Sequence, residues 1–459
     1  MTQSYAQHAP SEDDLLAHKA LRISNAEGCV YMVMQGVSES FLGAMAVELG
    51  HRDTNLALLM TVPMLVGSLA QLAAGPLTAL LGARKRLVVL GASLQTLSLL
   101  GLYLIAAHGV RALWPLLLAN IAYYVCTMLV GPPWGAWMAA LTEGRQRERF
   151  FARRAGMTQA TLLVAFGAAG AALQSAGGNP SATLRVFSML HLVGFVFRAI
   201  STGMLALQPD IERTTRTVRQ SIAAVRMAGQ TANFRVAGYL TALALSTHIA
   251  APFFTPYMLR DLHLDYAAYV GLTAIPIVVR AICSSALHPL SERFGMRRLL
   301  VWSGGAVVIL PALWVVFGDL PSLAVVQAVS GLAWGTVDFA SYQLLLSSAR
   351  AECRVEFLSI ASTMGSGGQL VGGLAGGYLR GAPQLSYHAL FLLSAVGRGL
   401  AMTWLVSELP SRLRRDLPQL FLRVISVRPE NGTVQRPIVA DAVDAAPDTQ
   451  DGSGQDTAK

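Results

Sequence analysis

Residues 75–86 read GPLTALLGARKR, and residues 288–298 read HPLSERFGMRR. In each, a long apolar run ends at a glycine followed by adjacent cations, Arg84, Lys85 and Arg86 in the first and Arg297 and Arg298 in the second. The likeness extends outward without a gap when residue n is set beside residue n+213. Pro63 meets Pro276, Pro76 meets Pro289, Gly82 meets Gly295, Arg84 meets Arg297, Lys85 meets Arg298 and Gly91 meets Gly304. At an offset of 200, GPPWG (131–135) falls on GLAWG (331–335). Low-complexity bias does not match proline, glycine and tryptophan positions in this way. The chain reads as two copies of one unit.

The 459 residues are 53% hydrophobic and only 13% charged, where a soluble domain carries about a quarter charged residues. Mean hydropathy is +0.48. The apolar residues come in blocks of about 18–25, the length that crosses a bilayer core of about 30 Å as helix. An all-α, polytopic membrane protein follows. The four cysteines, Cys29, Cys126, Cys283 and Cys353, show no paired spacing, so neither a disulfide framework nor a zinc site is indicated. The polar N-terminal residues lack a basic n-region and a small-residue cleavage site, which argues against a cleaved signal peptide.

Twelve spans are expected, at about 27–49, 54–81, 87–107, 113–139, 154–176 and 184–207, then 234–258, 266–289, 298–318, 321–348, 354–379 and 386–409. They divide the chain into an N-terminal tail (1–23), a six-helix bundle (24–207), a linker (208–233), a second six-helix bundle (234–410) and a C-terminal tail (411–459). The loops after spans 2, 4, 6, 8 and 10, with both tails and the adjoining span ends, hold 27 of the 35 Lys and Arg. The other loops hold Arg52, Arg111, Arg185, Arg260 and Arg380. Cations stay on the cytoplasmic side during insertion, so both termini are expected to be cytoplasmic. The net charge of +9 is thus a topology signal, and no nucleic-acid partner is expected. In the linker, Ile211, Val218, Ile222 and Val225 recur at helical spacing against a basic face, which predicts an amphipathic helix on the inner leaflet. Residues 411–425 read similarly, and the tails at about 1–23 and 426–459 lack the apolar content to fold.

The motif resembles the hallmark of the major facilitator superfamily, a Gly-x-Leu-x-acid-Arg-x-Gly-x-basic-basic segment between spans 2 and 3, echoed between spans 8 and 9. The resemblance covers about 24–410, and the basic GRQRERFFARR loop (144–154) after span 4 fits it too. It implies two six-helix bundles around a central solute pathway, opened alternately to each side. It also implies that the acid and arginine of the motif help lock the cytoplasmic gate. The first copy keeps Gly75, Leu77, Gly82, Arg84 and Lys85 but has Ala79 and Leu80 in place of the acid and arginine. The second keeps Glu292, Arg293, Gly295, Arg297 and Arg298, with His288 at the first glycine. The charge-pair latch is therefore expected only in the second half, on Glu292 and Arg293. The plainer account of all these cations is topology and turn formation.

No GxxxxGK[ST] phosphate loop, HExxH, paired CxxC or nucleophile elbow occurs, so neither an enzyme nor transport driven by this chain's own ATP hydrolysis is indicated, and no cofactor or metal is expected. Ionisable residues within spans are costly in lipid and become the candidates. Glu39 lies midway along span 1, on a stripe with Glu27, Tyr31, Gln35 and Ser38 that should face the pathway. Desolvation would let such an acid exchange protons near neutral pH. Arg280 in span 8 and Asp338 in span 10 fall about nine and ten residues before their span ends, so a rise of 1.5 Å per residue sets them at nearly equal depth. Their pairing would be structural, or would open to hold an anionic solute. Asp338 shares a stripe with Gln327, Gly331, Trp334 and Tyr342, and span 4 offers Asn120, Tyr123, Tyr124, Thr127, Gly131 and Trp134. His248 in span 7 and Gln369 in span 11 complete the candidate pathway, each with packing as its alternative. Arg198 and Arg398, in spans 6 and 12, read as structural.

The leading expectation is a proton-linked or facilitative carrier, such as a proton symporter, for a small organic solute. Abundant Arg and Ala with three Lys point to a GC-rich bacterial genome, and so to a bacterial inner membrane. The expected partners are the solute, protons and lipid, with the protein a monomer. An efflux pump for amphipathic compounds is the first alternative, although span 5 lacks the Gly-Pro motif usual in drug–proton antiporters. A non-transporting sensor on the same fold is the second.

Overall fold

A computed structural model of the chain describes residues 12–140, 144–209, 217–350, 353–381, 385–408, 424–428 and 432–436. Helical segments fall at the positions of the expected spans. Spans 2 to 6 are Asp53–Leu72 continued by Ala74–Leu81, Arg84–Ala107, Leu113–Ala140, Gly144–Gln174 and Pro180–Leu207. Spans 8 to 12 are Tyr266–Phe294, Met296–Val316, Leu320–Ser347, Arg354–Gly381 and Tyr387–Glu408. Among the described residues, ten helices are long and apolar enough to cross a membrane. The other two are spans 11 and 12.

Spans 1 and 7, which open the two halves, are both interrupted. Span 1 runs Glu12–Val37, turns through a 3-10 segment Glu39–Phe41, and resumes at Leu42–Glu48. Ser40 Oγ donates to the Gln35 carbonyl at 3.0 Å, satisfying an acceptor released by the interruption. Span 7 runs Arg235–His248, passes through the 3-10 turn Ala251–Phe253, and ends in the short helical pieces Phe254–Pro256 and Tyr257–Asp261. Pro252 lies in that turn and has no N–H to continue the ladder. Span 2 breaks at Ala73, just before Pro76.

The two turns singled out by the repeat have the same physical origin. Gly82 caps span 2 at φ 71°, and Gly295 joins spans 8 and 9 at φ 83°. Both lie in a region that a side chain disfavours.

Span 11 packs between the halves through glycine. A Cβ at Gly368, Gly372 or Gly376 would strike the carbonyls of Thr241, Leu245 or Ile249 on span 7. On its other side Gly373 and Gly377 face Thr61 and Ala57 of span 2. Small residues of this kind let helix backbones meet where lipid offers no hydrophobic drive.

Four boundaries differ from expectation. The first helix starts at Glu12, inside the segment read as a tail, and Ala20 and Leu21 are buried. Span 5 begins at Gly144, so the basic stretch 144–154 is helix and not loop. The linker helix spans Val218–Thr231, with a Thr217–Gln220 capping box. Its Ser221, Ala224 and Ala228 face the bundle, while Val218 and Ile222 are exposed; Ile211 lies outside the described residues. An antiparallel hairpin, Val424–Arg428 with Gly432–Arg436, occupies part of the expected C-terminal tail, and residues 411–423 lie outside the described set.

Candidate functional site

The interruption in span 1 shapes the polar centre of the first half. Glu39 is buried in the 3-10 turn, where it accepts a hydrogen bond from the Tyr123 hydroxyl of span 4. Gln35 Nε2 reaches its other oxygen at 3.4 Å. Beside it, Ser38 Oγ lies 2.5 Å from His191 Nδ1 of span 6. Tyr124 packs edge-on to Tyr123. Asn120, one helical turn away, is buried with no hydrogen-bond partner for Oδ1.

Closer to the end that carries Arg84 and the linker, Arg154 of span 5 pairs with Glu27 at 3.1 Å. It also donates to Ser24, and it lies 4.7 Å from the Trp134 ring. The other oxygen of Glu27 accepts from Ser201, which in turn accepts from Arg198, both bonds being 2.7 Å. Arg198 covers the Tyr31 ring. The Glu27–Tyr31–Gln35–Ser38–Glu39 stripe therefore meets spans 4, 5 and 6 of its own bundle. Two buried arginines need a carboxylate nearby, and Glu27 supplies it. Arg154 was hidden in the sequence as one more cation of a basic run.

In the second half, Arg280 Nη1 bonds Asp338 Oδ2 at 2.9 Å, with both side chains buried. Local glycines set this pair. A Cβ at Gly331 would stand 2.7 Å from Pro276 Cα, and one at Gly335 would stand 3.1 Å from Arg280 Cγ. Span 10 thus lies close against span 8, and Arg280 passes over Gly335 to reach Asp338. Trp334 and Tyr342 lie on the same helix, partly and fully buried respectively. His248 bonds through Nδ1 to the Ala244 carbonyl of its own helix, leaving Nε2 without a partner. Gln369 is partly buried, with Oε1 unpartnered.

At the opposite end from the basic loops, the halves are clasped. Asp53, which opens span 2, accepts from Arg260 at 3.1 Å, Arg380 Nε at 2.9 Å and the Tyr387 hydroxyl at 2.8 Å. All three donors belong to the second half. Arg260 also donates to the His51 carbonyl, and Thr54 Oγ1 donates to the Gly377 carbonyl. Burial and the Arg260 charge hold the His51 imidazole below its ordinary pKa. At the basic end, Gln71 meets Ser359 and Thr363 meets the Ser68 carbonyl, so spans 2 and 11 stay in contact along their length.

The gate-motif residues divide by environment. Gly75 faces Ser221 of the linker helix. Arg86 caps the Leu81 carbonyl at 3.0 Å. Arg84, Lys85 and Arg297 are partly buried, and Arg298 is exposed. Arg293 is exposed and lies over the Phe294 ring. The Glu292 side chain, the other half of the expected latch, lies outside the described residues.

Two bundles with interrupted first helices, a glycine seam between them and buried ion pairs within them make a polytopic helical membrane fold. Residues 236–429 match the sequence model of the Major Facilitator Superfamily. The chain is also 32% identical over 176 residues to the tetracycline resistance protein, class C, of Escherichia coli. That match spans 36% of this chain and less than half, 42%, of the relative. Among solved structures, the nucleoside transporter NupG superposes with a TM-score of 0.61 at 12% identity, covering 86% of this chain and 99% of that one. A bacterial homologue of the iron transporter ferroportin, in an inward-facing state, gives 0.63 at 15% identity over 85% and 98%. The second half of the chain thus resembles the major facilitator superfamily in sequence, and the chain shares the fold of these solved structures.

Proposed function

We propose that this protein is a secondary transporter that moves a small organic solute by alternating access, with both termini in the cytoplasm of a bacterium. The observation that carries the reading is the clasp on Asp53. One carboxylate of the first half gathers three donors from the second, at the end of the molecule opposite the basic loops. Such a contact must break for that end to open, whereas elsewhere spans 2 and 11 meet through glycines and neutral hydrogen bonds. The Arg280–Asp338 pair and the aromatic and amide groups around Tyr123 and Trp334 flank the proposed pathway. Glu39 is the proposed proton carrier. It is buried in a helix interruption, where the Tyr123 hydroxyl and the Gln35 amide donate to it. In this reading Arg84, Lys85, Arg293, Arg297 and Arg298 border the cytoplasmic gate.

The likeness to a tetracycline resistance protein favours a second reading, export of amphipathic compounds. Reconstituted vesicles separate the two. A compound that shifts the unfolding midpoint in a metabolite and drug screen is loaded as labelled counterflow substrate, with and without an imposed pH gradient. Accumulation with the proton gradient supports uptake, and accumulation against it supports exchange for protons and hence export. No counterflow of any binding compound would overturn the transporter reading in favour of a sensor.

A further inference from the structure

The two bundles do not balance their buried charge in the same way. In the first, Glu27 lies against Arg154 and reaches Arg198 through Ser201. The offset of 200 carries Arg198 onto Arg398 and Trp134 onto Trp334. No counterpart of Glu27 exists there. The sequence holds no Asp or Glu from Asn233 to Arg260, from Met296 to Gly318, or from Gly381 to Ser407. Spans 7, 9 and 12, which meet around Arg398, therefore supply no carboxylate. Asp338, the acid of span 10, is held by Arg280.

Arg398 is 3% exposed. Its Nη1 donates to the Val307 carbonyl at 3.0 Å, its guanidinium lies 5.8 Å from the Trp334 ring, and its Nε has no partner. Among the described residues no carboxylate is within ion-pair reach of it. Its neighbours are also incomplete. His248 lies on span 7, which packs against span 12 beside Arg398, with Gly397 against Ser246. His248 Nε2, Thr247 Oγ1 and the Tyr239 hydroxyl are all buried without partners. Tyr239 stands beside Gly304, as does Met402, one turn from Arg398 on span 12. A buried guanidinium with only a carbonyl and a ring beside it is strongly unfavourable unless an anion joins it.

We propose that Arg398 is the anchor of a binding site for the carboxylate of a small organic anion, set in the middle of the second bundle. The anion takes the place that Glu27 fills in the first. The fork of the guanidinium matches a carboxylate, and the Thr247 and Tyr239 hydroxyls add donors. With Nδ1 committed to Ala244, His248 Nε2 accepts a hydrogen from a hydroxyl or ammonium group of the ligand. Trp334 and Met402 face its apolar part. The proposal deepens the transporter reading by naming an acidic solute.

The test measures unfolding midpoints of purified full-length protein in low-salt buffer. L-lactate, benzoate and succinate are the probes, with lactamide and chloride as controls. At least one carboxylate should raise the midpoint saturably, while lactamide and chloride at the same concentration do not. Arg398→Gln should weaken the apparent affinity about tenfold or more, and Arg398→Lys, which keeps the charge but loses the fork, should weaken it less. Without ligand, Arg398→Met should raise the midpoint, because it removes an uncompensated charge, whereas Arg198→Met should lower it. No response to any of the three carboxylates, an equal response to chloride, or a midpoint lowered by Arg398→Met would each overturn the proposal. Binding is read without transport, so silent vesicles would sink the transporter reading alone.

Discussion

Arg280 and Asp338 join spans 8 and 10 by an ion pair of 2.9 Å, buried on both sides, and the contact exists because Gly331 and Gly335 let the two helices approach. Asp338→Asn leaves the buried guanidinium without its counter-charge, a change that costs about 3–5 kcal/mol. The double variant Arg280→Gln with Asp338→Asn removes both charges. Its unfolding midpoint should lie closer to that of the parent than the single variant's does. A double variant as unstable as the single one would show that the charges do not act as a pair.

The clasp on Asp53 predicts a conformational shift. In a cysteine-free background, spin labels at Gly178 and Gly318 sit on exposed turns of opposite halves at the clasped end. Asp53→Ala should lengthen and broaden their distance distribution, since three donors from the other half lose one acceptor. An unchanged distribution would show that the clasp does not hold that end closed.

His51 adds a pH dependence to the same end. Burial and Arg260 depress its pKa in the clasped state. A released His51 returns towards about 6.5 and so binds a proton more readily than the clasped one. The clasped state is therefore fully favoured above about pH 6.5 and loses ground as pH falls below it. The labelled distance should lengthen on acidification. His51→Gln should abolish that response if His51 is its source.

Glu39 is the proposed coupling group. Glu39→Gln should abolish accumulation driven by a pH gradient yet preserve solute exchange, because exchange needs no net proton release. Parallel transport assays on the variant decide this. Normal pH-driven accumulation would exclude Glu39, and loss of exchange as well would recast it as a ligand or structural group.

The repeat-matched turn glycines are not equivalent. Gly82 sits at φ 71°, ψ 0° and Gly295 at φ 83°, ψ 147°, with open space around both. Alanine at Gly82 should cost about 1 kcal/mol. At Gly295, in a region nearly restricted to glycine, it should cost up to about 3 kcal/mol. Unfolding midpoints in matched detergent would rank the two.

Much of the architecture was legible because the bilayer imposes one length on every apolar run and sorts cations to one side. The exceptions to that sorting were a signal in themselves. Arg260 and Arg380, two of the five cations in the sparsely charged loops, are the two that clasp Asp53. Asp53 itself was missed, since an acid at a helix start reads as an ordinary first-turn residue. The equal depth of Arg280 and Asp338 could be read from helical rise alone, but their facing required the rotation of both helices.

The sequence by itself determined the membrane class and where its long helices fall, because periodicity, span length and turn glycines are local properties of the chain. Tertiary structure alone decided where each buried charge finds its partner. Arg154 reads as one of a basic run until span 5 turns it onto Glu27. Arg398 reads as the twin of Arg198 until the packing of spans 7, 9 and 12 leaves it without a carboxylate. Charge compensation in a low-dielectric interior depends on distances of a few ångströms between helices far apart in the chain, and no local pattern encodes them.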